Sequence, residues 1–511
     1  MSPPTPATST RRPRLPLWAT IALSVATIGP TLAMAGNGQG LIGSVGKGVP
    51  LVFVIGLVGV GLVGYGFIRL TRHLNHAGSA YALVGSTVGP RAGFFSGFAM
   101  IGTYAMFSVG CLALFAAFTN AFLLQLQNNA KNAFQLPWIV PVLVAVAASA
   151  LLAGRDTRVI ARTLLVIEGI GIIAMIILVI VIFGKGGAPG TGIDFGVFTF
   201  SGVGPGAVLS GVVAAFLSWA GFEACAALGE ETDNPRRNIP RALAGALALT
   251  GLLFIVVMFA QTIGFGTSAK GLAEFQSSGN TLGDLGRTYI GSAFSLIIVF
   301  TAMMSAFACH MAAGATASRL MFAFSRDGLG PRWLSAIDRR SGAPQAALWL
   351  VIGAGLVINF VSWATGWPNL GTGNAAIDSY FYFAVAGAVA LMIVYFMVEV
   401  AAIRFVTARD FTARTGEKGI VAGVVLPLIG LAVIVIALYY NAKGQTDPFS
   451  SPVYLGFAWA AVGLIIAFSV PGLSRRIGGH LATELAETDS GTLAGLATTA
   501  QAAEGPAGET P

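Results

Sequence analysis

Charge is what this sequence has least of. Asp, Glu, Lys and Arg make up only 10% of its 511 residues, while hydrophobic residues make up 55%. A water-soluble domain carries about 25% charged residues. So few charges cannot cover a water-facing globule, which leaves an integral membrane protein. Cysteine is scarce as well. Cys111, Cys225 and Cys309 all lie inside apolar runs, so they read as reduced packing residues rather than a disulfide framework. Chemistry-bearing motifs are missing too. There is no His-Glu-x-x-His, no cysteine cluster and no nucleophile elbow, so no enzyme active site, metal site or cofactor is expected. Gly43-Ser44-Val45-Gly46-Lys47-Gly48 has the wrong spacing for a Walker A loop and no Ser or Thr after its lysine, so no ATP motor is visible. The net charge of +8 does not indicate nucleic acid, because the basic residues fall in short loops between apolar runs.

What is present is apolar length. A membrane helix needs about 20 apolar residues. Twelve spans are expected, near 17–43, 48–70, 93–125, 137–154, 160–184, 206–229, 240–265, 288–325, 346–366, 376–405, 419–441 and 453–470. Glycine is abundant, with 67 residues, as close helix packing in lipid requires. Several spans exceed one straight crossing, so tilts, breaks or extensions must absorb the excess. With residues 1–16 as a cytoplasmic tail, 23 of the 29 Lys and Arg fall in inside segments and six outside. An odd number of spans would scramble that partition. The positive-inside rule therefore supports twelve spans with both ends in the cytoplasm. The expected fold class is all-α, multi-pass, in the cell membrane, with the lipid bilayer as a partner. No cleavable leader is evident. Residues 473–511 turn to Ala/Thr/Glu/Gly low complexity and are expected to form a disordered cytoplasmic tail.

Two of the spans look interrupted. The first contains Ala26-Thr27-Ile28-Gly29-Pro30-Thr31. Pro30 has no amide hydrogen and Gly29 gives no helix preference. Freed backbone groups are costly in lipid unless protein or a water-lined cavity satisfies them. A simple proline kink is the competing reading. The sixth span contains Ser218-Trp219-Ala220-Gly221-Phe222, a weak helix segment near mid-span. The two lie five spans apart. Paired interruptions in two five-helix halves point to an inverted-repeat transporter. Half-helix N-termini suit a carboxylate, and exposed carbonyls suit an ammonium or a cation.

Three stretches then carry a resemblance. Gly221-Phe222-Glu223, followed by Gly229-Glu230-Glu231-Thr232 and by Asn234-Pro235-Arg236-Arg237, resembles the sixth-helix signature of the amino acid–polyamine–organocation transporters. His76-Ala77-Gly78-Ser79-Ala80-Tyr81, with Gly89-Pro90-Arg91-Ala92-Gly93-Phe94 after it, is similar to their loop between the second and third helices. Ala317-Ser318-Arg319-Leu320-Met321-Phe322-Ala323-Phe324-Ser325-Arg326-Asp327-Gly328 resembles the end of their eighth helix. The resemblance implies a LeuT-type fold working by alternating access. Residues 17–405 would form the inverted-repeat core and 406–472 two further helices. It implies a substrate carboxylate at Ile28, Gly29, Pro30 and Thr31, with Pro30 lacking its amide and departing from the glycine-rich pattern. It implies a substrate ammonium at the carbonyls of Phe216, Leu217 and Trp219, with Ser218 and Gly221 beside them. A decarboxylated amine is compatible with the missing donor.

Charges within the membrane need a reason. Glu223 follows the sixth-span interruption; it either takes up a proton or stabilises the unwound segment, with a structural hydrogen bond as the alternative. The resemblance adds that some relatives use the matching glutamate in proton sensing. Glu168 lies in the fifth span, where many relatives carry a lysine. It is expected to bind a cation, carry a proton, meet a cationic substrate or serve packing. His310 in the eighth span, near Ser305, is a candidate proton relay or a satisfied core histidine. Glu399 is expected to reach towards Arg404, and Glu230 and Glu231 to lie in an inner loop. Tyr104, Trp219, Tyr380 and Tyr382 are candidate lids over an ammonium. The reading is a permease for amino acids, coupled to protons rather than sodium. A polyamine or amine transporter and an exchanger are alternatives; a sensor or channel is the different class.

Overall fold

The computed structural model describes residues 15–74, 79–128, 133–153, 157–228, 232–326, 328–336, 344–408, 420–443 and 448–474. In chain order the helices are α1 (Leu17–Ile28), α2 (Pro30–Gly36), α3 (Gln39–Val45), α4 (Val49–His73), α5 (Ser79–Thr87), α6 (Pro90–Leu126), α7 (Ile139–Ala153), α8 (Thr157–Gly184), α9 (Pro205–Ser218), α10 (Pro235–Phe265), α11 (Ala269–Ser277), α12 (Thr281–Tyr289), α13 (Ser292–Arg326), α14 (Gln345–Thr365), α15 (Ala375–Thr407), α16 (Ile420–Lys443) and α17 (Ser451–Ser469). Among the described residues, ten helical stretches are long and apolar enough to cross a membrane. The shorter apolar helices α7 and α9 fill the fourth and sixth positions, so all twelve expected spans have a counterpart.

Two over-long spans resolve into separate pieces. The first ends at Gly36, and α3 is an independent short helix. The eighth begins only at Ser292, because Gly291 at φ 142° separates it from α12. Proline opens many of the helices. Pro30, Pro50, Pro90, Pro205, Pro235 and Pro452 all sit in a first turn, where a missing amide hydrogen loses no helical bond.

Four pairs of spans five apart in sequence pack against each other. α4 lies on α10, α6 on α13, α7 on α14, and α1 on the 3₁₀ turn Phe222–Leu228 that follows α9. This pairing places the two interrupted spans side by side. The α2 C-terminus is held there from outside: Gln261 Nε2 donates to Met34 O at 2.8 Å, and Thr281 Oγ1 donates to Ala35 O at 3.1 Å. In a loop, Lys47 donates to Asp194 at 2.8 Å and holds that carboxyl below the usual carboxylate range.

Glu399 departs from expectation. It is fully buried and lies against Gly66 of α4, whose backbone faces it, and Gly430 of α16, rather than on Arg404. Glycine at both places leaves room for the carboxylate, so it is drawn sideways into the bundle. Arg11, Arg12, Arg14, His76, Glu230, Glu231 and the tail from residue 475 onward lie outside the described residues.

A cavity between two broken helices

The first span is broken, not merely kinked. α1 ends at Ile28, Gly29 takes the left-handed conformation (φ 65°, ψ 59°), and Pro30 starts α2. Gly29 suits this turn because it lacks the Cβ that penalises positive φ. The Gly29 amide bonds back to Ala26 O at 3.2 Å. The next two amides leave the helix altogether. Thr31 N donates to Glu168 Oε1 at 2.8 Å, and Leu32 N donates to Ser305 Oγ at 3.2 Å. α8 and α13 therefore supply the cap that α2 lacks in its own sequence. The carbonyls of Thr27 and Ile28 have thereby lost their helical donors.

The sixth span breaks differently. Trp219 N bonds to Phe216 O at 3.1 Å and Ala220 N to Leu217 O at 3.2 Å, tightening the end of α9 into 3₁₀ geometry. Gly221 follows at φ 96°, then the turn Phe222–Leu228. The carbonyls of Phe216, Leu217 and Trp219 each accept a backbone amide within this turn. The resemblance implied these carbonyls as acceptors for a substrate ammonium; each already accepts one hydrogen bond here and has a second lone pair. Glu223 caps the turn. It accepts Tyr104 OH of α6 at 2.5 Å and Tyr395 OH of α15 at 3.0 Å, while its own amide and that of Gly221 also face the carboxylate. Ser24 Oγ donates to Phe222 O at 3.0 Å, tying α1 to the same turn.

Between the breaks lies a cavity of about 60 Å³. At roughly 15 Å³ per water centre it holds about four waters. Thr27, Ile28, Leu32, Leu217 and Gly221 line it from the two breaks, and Tyr104, Phe107, Cys309 and Tyr380 from α6, α13 and α15. The Glu223–tyrosine contacts adjoin the cavity through Tyr104. Through Tyr380 a second cluster adjoins it, in which Asn37 donates to Ser218 Oγ at 2.8 Å and accepts Tyr380 OH at 2.6 Å. A recess of about 480 Å³, lined by Gln39, Ser44, Gln276, Thr372 and Asn441, lies on the α3 side of the bundle.

The predicted site residues separate into two groups. Ile28, Tyr104, Leu217 and Gly221 reach the cavity directly. Gly29, Pro30, Thr31, Ser218, Glu168, Glu223 and Ser305 form the two breaks or bond to the residues around them, outside the lining itself. Phe216 and Trp219 point elsewhere. The Phe216 ring lies against Gly59, and the Trp219 ring packs on Phe53 and Phe254 with centroids 5.7 and 5.4 Å away. Tyr382 meets Trp367 edge-on and does not line the cavity. His310 Nδ1 lies 2.9 Å from Ser108 Oγ on α6, off the cavity lining. Asn37, Tyr395 and Ser24 were missed; the surplus length of the first span was the one signal that Asn37 lay outside a continuous helix.

Cys111 and Cys309 both line the cavity and are free thiols, whereas Cys225 is buried away from it. A small mercurial is expected to block transport, with substrate slowing the loss. A Cys111→Ala/Cys309→Ala variant should resist. Equal inhibition of that variant in an uptake assay would place the cavity off the transport route.

Comparison with known proteins agrees with this architecture. A family model described as amino acid permease matches residues 15–468. The branched-chain amino acid permease BcaP of Lactococcus lactis is 26% identical, covering 66% of this chain and 73% of the relative. The low-affinity putrescine importer PlaP of Escherichia coli K12 is 25% identical, covering 82% and 84%. A methylthioribose transporter of Bacillus subtilis is 24% identical, covering 69% and 72%. With the family match running through both broken helices and every span between them, the chain belongs to the amino acid permease family.

Proposed function

We propose that this protein is a secondary transporter that carries amino acids or small amines across the cell membrane by alternating access, with proton coupling and both termini in the cytoplasm. The observation that carries this reading is the cavity between two broken helices, bordered through Tyr104 and Tyr380 by two different side-chain clusters. Opening either cluster alone would expose the cavity to one side. Glu223 supports proton coupling because a titratable group joins the sixth-span break to α6 and α15 in one of those clusters. The relatives named for a branched-chain amino acid and for putrescine support the substrate range.

The test is uptake into liposomes. A labelled panel of neutral, cationic and anionic amino acids, putrescine and ethanolamine would be offered under imposed proton or sodium gradients. Accumulation of one class under a proton gradient is the expected result. No uptake or preloaded exchange of any compound, by protein shown to be folded, would refute the transporter reading. Accumulation driven by sodium alone would refute the coupling.

A further inference from the structure

Resting on that reading, we propose that the central site selects an organic cation without a carboxylate, a monoamine or diamine, over the corresponding amino acid. The argument starts from what a carboxylate would need. It needs free amide donors or a cationic side chain within reach. At the first break neither is available. Gly29 N is bonded to Ala26 O, Pro30 has no amide, Thr31 N is taken by Glu168 and Leu32 N by Ser305. At the second break, the Gly221 and Glu223 amides face the Glu223 carboxylate. No Lys or Arg lines the cavity. The protein has filled the anion positions of both half-helices with its own glutamates.

An ammonium meets the opposite situation. Thr27 and Ile28, whose carbonyls lack helical donors, line the cavity. So do Tyr104, Phe107 and Tyr380, residue types whose rings attract cations. Immediately behind these walls sit two buried carboxylates, Glu168 at 4% exposure and Glu223 at 1%. The donors to both are neutral hydroxyls and amides. Buried charges without a counter-charge are costly, and a bound cation offsets that cost. A zwitterion brings its own negative group into the same field and gains no donor for it. The remaining lining is largely apolar: Leu32, Ala33, Leu217, Ala312 and Ala384. It suits the hydrocarbon part of an alkylamine.

The experiment uses matched pairs that differ only by the carboxylate: leucine and 3-methylbutylamine, ornithine and putrescine, serine and ethanolamine. Each would compete, in liposomes containing the whole protein, against whichever labelled compound accumulates. Thermal-shift binding to the purified protein gives a second readout. Within the best-bound pair, the amine should compete at a concentration at least 10-fold lower. An amino acid that competes as well as its amine overturns the inference and leaves the transporter reading standing. Failure of every compound to bind or accumulate overturns both.

Two further arms separate the sources of positive charge. The preference should be the same in sodium and potassium media. An amine preference that appears only in sodium would assign the carboxylates to a coupling ion and overturn the inference. Glu168→Gln keeps an oxygen acceptor for Thr31 N but removes the charge. It should lose at least 10-fold in amine competition while its melting temperature stays near the parent's. Full retention of the preference in that folded variant would also overturn the inference.

Discussion

Replacing Glu223 with alanine is expected to abolish accumulation of substrate and to destabilise the protein by about 2–6 kcal/mol. The reason is geometric. Tyr104 is 5% and Tyr395 1% exposed, and both hydroxyls end on this one carboxylate. Truncation leaves two buried donors without an acceptor, each costing about 1–3 kcal/mol. It also uncouples the sixth-span break from α6 and α15. The decisive comparison is Glu223→Ala in a Tyr104→Phe/Tyr395→Phe background. Removing the stranded hydroxyls should recover most of the stability, because paired polar groups are cheaper to delete together than singly. Transport should stay absent. Melting temperature and liposome uptake, measured on the same preparations, decide it. Uptake retained in Glu223→Ala, or no recovery in the triple variant, would refute this account of the closure.

The second large effect is expected at Gly29. An alanine there would have to hold φ near 65°, which costs a residue with a Cβ about 1–2 kcal/mol. The new methyl would also fall on Cys309 Sγ. Overpacking of this kind costs typically about 1–3 kcal/mol. Gly29→Ala should therefore lose about 2–5 kcal/mol on adding these, and transport with it. The two components are separable. Adding Cys309→Ala removes the sulfur and should return the steric part only, since the backbone conformation is unchanged. A double variant as unstable as Gly29→Ala would show that Cys309 does not restrict the turn. A neutral Gly29→Ala would show that α1 and α2 are not separated by a left-handed residue at all.

The extent of the fold that could be read in advance follows from the range of each signal. Span length and the Gly29-Pro30 and Trp219–Phe222 interruptions are local, and they appear where expected. The side-chain partnerships are not local. Glu168 meets Thr31 across 137 positions, Tyr395 meets Glu223 across 172, and Tyr380 meets Asn37 across 343. No short pattern encodes such a pairing. Within a break, even the facing of a side chain is lost, because a face is assigned by helical periodicity. Trp219 shows the consequence: it was expected over the substrate and instead packs on Phe53 and Phe254. Asn37, flanked by Gly36 and Gly38, lay beyond the one interruption read in the first span, at Gly29-Pro30.

The two clusters beside the cavity are held by unlike chemistry. Asn37, Ser218 and Tyr380 join one with groups that carry no charge below about pH 10. Glu223 joins the other with a carboxyl group, whose charge depends on its proton. In the transport cycle proposed above, acidity acts directly on one cluster and not on its opposite. Such a cycle makes the protein a rectifier: the same acid pulse delivered to either face has unequal effects.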